Sequence, residues 1–137
     1  MSTREITLDT LPAVVAENDI VLLDFWAAWC GPCRMFAPVF ERASQAHPDI
    51  VFGKVDTEDH QQLAGVFGIT SIPTLVAFRS GIVVFAQPGA LPATVLDELI
   101  GAVRGLDMDD VRAQLAAERE AEAGQPAEAE QQAGVVR

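Results

Sequence analysis

The chain has 137 residues, half of them apolar, and its twenty acids against nine bases leave a net charge of −11. That length allows one compact domain with a single core and an appendage, and so acidic a balance, without a basic stripe or interleaved aromatics, argues against nucleic acid as a partner. No apolar leader follows Met1-Ser2-Thr3-Arg4-Glu5, and the most apolar run, Ile20 to Cys30, is broken by Asp24 and is far short of the roughly 20 residues that cross a bilayer, so a cytoplasmic protein without a membrane span is expected.

In chain order, Ile6 to Leu8 suggests an edge strand, and Leu11 to Ala16 a first helix with Pro12 near its start. Ile20 to Trp26 is a short β-branched and aromatic run with no helical phase, which reads as a fully buried central strand. From Cys33 the period becomes helical, with Phe36, Val39, Phe40 and Ala43 on one face until His47-Pro48, and with a kink expected at Pro38. Ile50 to Asp56 is a second strand and Gln61 to Phe67 a short helix ended by Gly68. Strand, helix, strand implies a parallel pair with a right-handed crossover.

Thr74 to Phe78 and Ile82 to Phe85 read as a hairpin joined by Arg79-Ser80-Gly81, so the sheet is mixed. A helix follows from Pro92 to Val103, with Val95, Leu96, Leu99, Ile100 and Val103 as its buried stripe. Beyond it the composition changes. Residues 107–137 carry eight acids and three bases. Asp107 and Asp110 are placed to cap a helix whose apolar stripe is only Met108, Val111 and Leu115. From 124 onward the sequence is too polar to bury anything and disorder is expected.

The two cysteines stand three apart in Trp29-Cys30-Gly31-Pro32-Cys33, where the strand gives way to the helix. If Cys30 opens that helix, the two Cα atoms lie about 5 Å apart, inside the range a disulfide needs. A thiol at a helix N-terminus faces unpaired amides and the positive end of the dipole, which favours its thiolate, so Cys30 is the candidate nucleophile. Cys33, a turn deeper, is the candidate resolving thiol. Gly31 and Pro32 set the shape of the loop, one by its freedom and the other by its fixed φ and missing N–H.

Those residues, with Asp24-Phe25-Trp26, Pro38, Lys54-Val55-Asp56, Gly68-Ile69, Ile72-Pro73-Thr74, Gly81 and Gly89, closely resemble the thioredoxin family over residues 4–105. The resemblance implies an α/β thioredoxin fold, a central mixed sheet flanked by helices, over residues 1–106. An acidic helical extension over 107–123 and a tail over 124–137 lie outside it. It also implies that Cys30 attacks, that Cys33 resolves, and that Pro73 is a cis-proline against the cysteines, leaving the backbone of Ile72 free to pair with an extended substrate. Asp24 resembles the family's buried acid: burial should raise its pKa and let it accept the Cys33 proton, with Lys54 moderating its charge. Trp29, Ile72 and Gly89 are the expected substrate-binding residues. Ala28, where many members are polar or acidic, and Gln87-Pro88 before Gly89 depart from the pattern without touching the redox pair.

The expected activity is reduction of disulfides in other proteins by dithiol exchange, with regeneration by a separate, NADPH-dependent flavoprotein reductase and no cofactor bound by the chain, which is expected to be monomeric. A zinc half-site is the rival for a C-x-x-C pair, but there is no second such pair, and the resemblance places His47 and His60 away from the cysteines. A client-binding module around Trp29, Pro73 and Gly89, with the acidic extension as its arm, is the rival of another class. An oxidase or isomerase of the same fold is the third.

Overall fold

The structure is a computed structural model that describes residues 3–124, divided between Arg104 and Gly105 into two compact units. The first contains β1 (Thr3–Glu5), α1 (Leu11–Glu17), β2 (Ile20–Trp26), α2 (Gly31–Ala46), β3 (Val51–Asp56), α3 (Gln61–Val66), β4 (Thr74–Arg79), β5 (Ile82–Pro88) and α4 (Ala93–Arg104). The second contains α5 (Met108–Gly124). Of the tail expected over 124–137, Gly124 is the last residue of α5, and residues 125–137 lie outside the described residues.

The five strands form one mixed sheet in the order β1-β3-β2-β4-β5. β2 is central, parallel to β3 with Leu22 beside Phe52 and antiparallel to β4 with Leu22 beside Ala77. Because side chains alternate across a strand, β2 feeds two cores. Ile20 and Leu22 join Phe36 and Phe40 of α2 and Leu96 and Ile100 of α4 on one face. Val21, Leu23 and Phe25 join Ile6, Leu63, Val76 and Phe78 on the other. Tilted and edge-on aromatic pairs fill both layers: Phe40 against Phe52 at 5.1 Å on the first, and Phe25 against Phe67 at 5.5 Å on the second. Asp24 shares the parity of Ile20 and Leu22. Its side chain therefore belongs to the sheet face that α2 covers.

Several boundaries differ from expectation. The edge strand is Thr3–Glu5 rather than Ile6–Leu8. Ile6 still donates to the Lys54 carbonyl and is buried, but Thr7 and Thr10 then bond each other's backbone through their hydroxyls and close a turn that ends the pairing. α2 starts at Gly31, its Cys30 N-cap adding a turn ahead of the apolar period, and runs on through Pro38. Arg79 belongs to β4, so the hairpin turn is only Ser80-Gly81, with φ of 53° and 80°, as a tight primed turn requires. β5 extends to Pro88. Val95 lies on the exposed side of α4, whose buried line is Leu96, Ile100 and Val103. In α5, Asp107 accepts from the Asp110 N–H at 3.2 Å and so caps the helix, while Asp110 itself lies in the first turn.

Gly53 is enclosed between β1 and β2, where a Cβ would press into the Ile6 side chain and come within 2.9 Å of Leu23 Cδ2. Gly53→Val should therefore destabilise the fold by about 2 kcal/mol. Urea unfolding at neutral pH measures this, and an unchanged midpoint would show that the layer yields more easily than its packing indicates.

Candidate active site

The site is assembled where β2 stops. After Trp26 the chain makes a turn over Ala27-Ala28-Trp29-Cys30, closed by the Cys30 N–H donating to the Ala27 carbonyl at 3.2 Å. Cys30 is then the N-cap of α2, with φ −87° and ψ 115°, and Pro32 occupies the first turn, where a missing N–H costs nothing. The extended ψ of the N-cap turns Sγ back over the helix end, and the Cys33 N–H donates to it at 3.2 Å. The two cysteines are joined by a disulfide with their Cα atoms 5.2 Å apart. Nothing lies within 4 Å of where a Gly31 Cβ would stand, so this position is open.

A second loop closes over the pair. The Ile72–Pro73 peptide bond is cis, as the family resemblance implied. Cys30 Sγ lies 3.7 Å from the Ile72 carbonyl oxygen, and Ile72 packs with Trp26 against Ala27 and both cysteines. Gly89, at φ 114°, donates its N–H to the Pro73 carbonyl at 2.8 Å, so this amide belongs to the loop's own support. Trp29 is 67% exposed and its indole N–H donates to Glu58 Oε2 at 3.3 Å. Trp29 and Ile72 form two walls of an open groove of about 320 Å³, completed by Thr57, Ala64, Ile69, Thr70 and Ser71.

Asp24 is 1% exposed, and neither carboxylate oxygen has a hydrogen-bond partner. Burial pushes its pKa from 3.8 up to about 6, and the charge of Lys54 opposes the rise. Lys54 is its register neighbour on β3. Among the described residues no ion pair includes Asp24. The Lys54 ammonium lies instead 4.9 Å from the centre of the Trp26 ring, so it acts on Asp24 by field and not by contact. The Trp26 indole nitrogen is also buried without a partner.

Every site residue expected from sequence thus lies on the β2–α2 junction, the Ile72–Pro73 loop, the Gly89 support or the Asp24–Lys54 strand pair. Sequence reasoning missed Glu58 and the groove wall from Ile69 to Ser71. The only signal for Glu58 was an acid two residues beyond the second strand, which any solvated loop also supplies. His47 ends α2, at the opposite end from Cys30, and His60 caps α3 with its Nε2 3.1 Å from Glu5. Among the described residues no group of three His, Cys, Asp or Glu side chains is placed to hold a metal ion, and no helix is long and apolar enough to cross a membrane.

A family model for thioredoxin matches residues 2–102. A Streptomyces coelicolor protein named "Putative thioredoxin 2" is 55% identical over 123 residues, 90% of this chain and 91% of its own. An alignment that long must reach into α5 wherever it begins. The thioredoxin of Bacillus subtilis is 45% identical over 101 residues, which are 73% of this chain but 96% of that protein, leaving it no room for such an extension. Among solved structures, a mutant thioredoxin from Halobacterium salinarum is 35% identical, covers 77% of this chain and 92% of its own, and superposes with a TM-score of 0.71. With its redox-active cysteine pair at the head of α2, the chain belongs to the thioredoxin family of thiol–disulfide oxidoreductases.

Proposed function

We propose a fixed division of labour for the reduction of protein disulfides that this family member carries out through Cys30 and Cys33 before a thioredoxin reductase restores it. The Cys30 thiolate attacks one sulfur of a target disulfide. A Cys30–target bond forms, the target S–S bond breaks, and the departing sulfur leaves as a thiolate that takes a proton from solvent. Cys33 then gives its proton to the Asp24 carboxylate and attacks Cys30 Sγ. The Cys30–Cys33 bond forms, the second target sulfur leaves as a thiolate, and two electrons have passed to the target.

The observation that carries this order is the Cys33 N–H at 3.2 Å from Cys30 Sγ, since an amide and a helix N-terminus favour negative charge on that sulfur and not on the one a turn deeper. A carboxyl with a pKa near 6 is mostly ionised at pH 7 and yet basic enough to take a thiol proton. Lys54 tunes that carboxylate, Gly31 and Pro32 shape the cap, and Pro73 presents the Ile72 backbone beside the sulfurs. Trp29, Ile72 and Gly89 frame the contact with an extended substrate, for which the groove beside Trp29 provides room. The reading extends to an NADPH-dependent flavoprotein as the reductase, a cytoplasmic monomer, a catalytic domain over 1–106 and an appended helix over 107–123. The client-binding alternative is not favoured by relatives that share the redox pair's family.

Cys30→Ser should abolish reductase turnover. Cys33→Ser should attack once and accumulate as a mixed disulfide through Cys30, visible by mass spectrometry; accumulation through Cys33 in the Cys30→Ser protein would reverse the assignment.

Asp24→Asn should slow resolution of the mixed disulfide by about a hundredfold. It should also change stability with a defined sign. The folded protein keeps the Asp24 proton up to pH about 6, whereas the unfolded chain releases it near 3.8. Stability is therefore lost as pH rises between those values, and the loss is complete above them. Asn removes that loss, so the variant should gain about 3 kcal/mol at pH 8 and well under about 1 kcal/mol at pH 4 in urea titrations. A variant that is less stable and equally fast would make Asp24 a structural acid only.

A chain ending at residue 106 should keep its melting temperature within a few degrees and its turnover of an insulin-like disulfide unchanged. A large fall in melting temperature would place 107–123 within the catalytic domain's own core.

A further inference from the structure

Arg34, the residue after Cys33, makes two hydrogen bonds to the turn that precedes the cysteines. Its backbone N–H donates to the Cys30 carbonyl at 3.2 Å, as the first turn of a helix requires. Its guanidinium Nη1 reaches back six residues and donates to the Ala28 carbonyl at 2.8 Å, which no helix requires. That carbonyl lies on the crown of the Ala27–Cys30 turn. Ala28 and Trp29 are both exposed, so burial does not hold the crown in place. The remaining ties are the closing bond from Cys30 N–H to Ala27 at 3.2 Å and the longer bond from the Trp29 indole to Glu58 at 3.3 Å.

We propose that Arg34 is a positioning residue for disulfide exchange: its grip on the Ala28 carbonyl keeps the Ala27–Cys30 turn closed and Cys30 Sγ directed at the Cys33 amide once the disulfide has opened. The inference rests on the reading of Cys30 as the attacking thiol. In the oxidised protein the S–S bond ties Cys30 covalently to α2, and the turn is constrained from both ends. In the dithiol protein that tether is gone. The N-cap conformation, φ −87° and ψ 115°, then depends on the turn leading into it, whose ends, Ala27 and Cys30, are held by burial and whose exposed crown is held by hydrogen bonds. A guanidinium is suited to the task because its donors are planar and pre-oriented and its charge is permanent, so the bond is charge-assisted and survives at every working pH. The same charge favours a thiolate nearby, but a lysine ammonium would supply that equally. The grip and the charge are therefore separable.

The test uses the full chain with Arg34→Met, which removes both, and Arg34→Lys, which keeps the charge on a more flexible stem. Amide hydrogen exchange at Trp29 and Cys30 is followed in the disulfide and dithiol forms, and Cys30 alkylation by iodoacetamide is followed against pH with the labelled cysteine mapped by mass. In the dithiol form of Arg34→Met, the Cys30 amide should exchange about three- to tenfold faster than in the parent, the range one hydrogen bond at the surface commands. Its alkylation profile should move to higher pH. In the disulfide form the exchange should stay within about twofold of the parent, which also checks the fold. Arg34→Lys should restore part of the alkylation profile while its dithiol exchange remains fast. Equal exchange in the parent and Arg34→Met dithiol forms, or full recovery of both readouts by lysine, would overturn the proposal and leave only a charge effect. Preferential labelling of Cys33 in the parent would instead overturn the order of attack, with the exchange result still measuring the grip.

Discussion

One amide governs the site. The Cys33 N–H is directed at Cys30 Sγ because α2 begins at Gly31, directly after a four-residue turn, with Cys30 as its cap. For that to hold, the end of β2 and the start of α2 must stay in register, and both are fixed by burial. β2 is enclosed on both faces and paired on both edges, and α2 lays Phe36 and Phe40 against the same sheet face that carries Leu22 and Phe52. Two buried phenylalanines contribute several kcal/mol of burial, far more than any polar contact at the helix tip. The core therefore sets the geometry, and the hydrogen bonds at the tip refine it.

The same arrangement explains why an acid is tolerated in the middle of the sheet. Strand alternation aims Asp24 at the face beneath α2, where its register neighbour on β4 is the buried Leu75 and neither carboxylate oxygen finds a hydrogen-bond partner. A closed ion pair with Lys54 would lower its pKa and leave a poor base. Holding the ammonium over Trp26 gives a weaker field, and the carboxyl settles near 6. Moderate attraction at a distance leaves Asp24 able both to release and to take a proton near neutral pH.

Much of this was legible in the residues. The apolar run Ile20–Trp26, interrupted only by Asp24, marks a strand buried on both faces, and the spacing of Cys30 and Cys33 marks a helix head. Both follow from short-range geometry that side-chain identity reports directly. What was not legible depended on backbone groups or on competition between neighbours. Leu8 has the composition of a strand residue, but Thr7 and Thr10 bond locally first and the ladder ends before it. Val95 fits a helical stripe until the axis of α4 is fixed by Leu96 and Ile100. Arg34 carries no such signal in the sequence because its partner is a carbonyl, and every residue has one. Glu58 is equally anonymous until the indole of Trp29 reaches it.

A redox protein of this kind must keep one geometry through two covalent states. In the disulfide state the bond between Cys30 and Cys33 holds the turn and the helix together. In the dithiol state the same atoms must remain in place with that bond gone, and only weak contacts remain to hold them. Those contacts are concentrated at the junction: the Ala27–Cys30 turn bond, the Cys33 amide, the Ile72 carbonyl beside Sγ and the Gly89 amide behind Pro73. Each is worth only about 1 kcal/mol, but together they constrain a few backbone torsions that the two cores already hold from below. Loss of any one should leave the fold intact and show itself in the reduced site, where no covalent tether compensates.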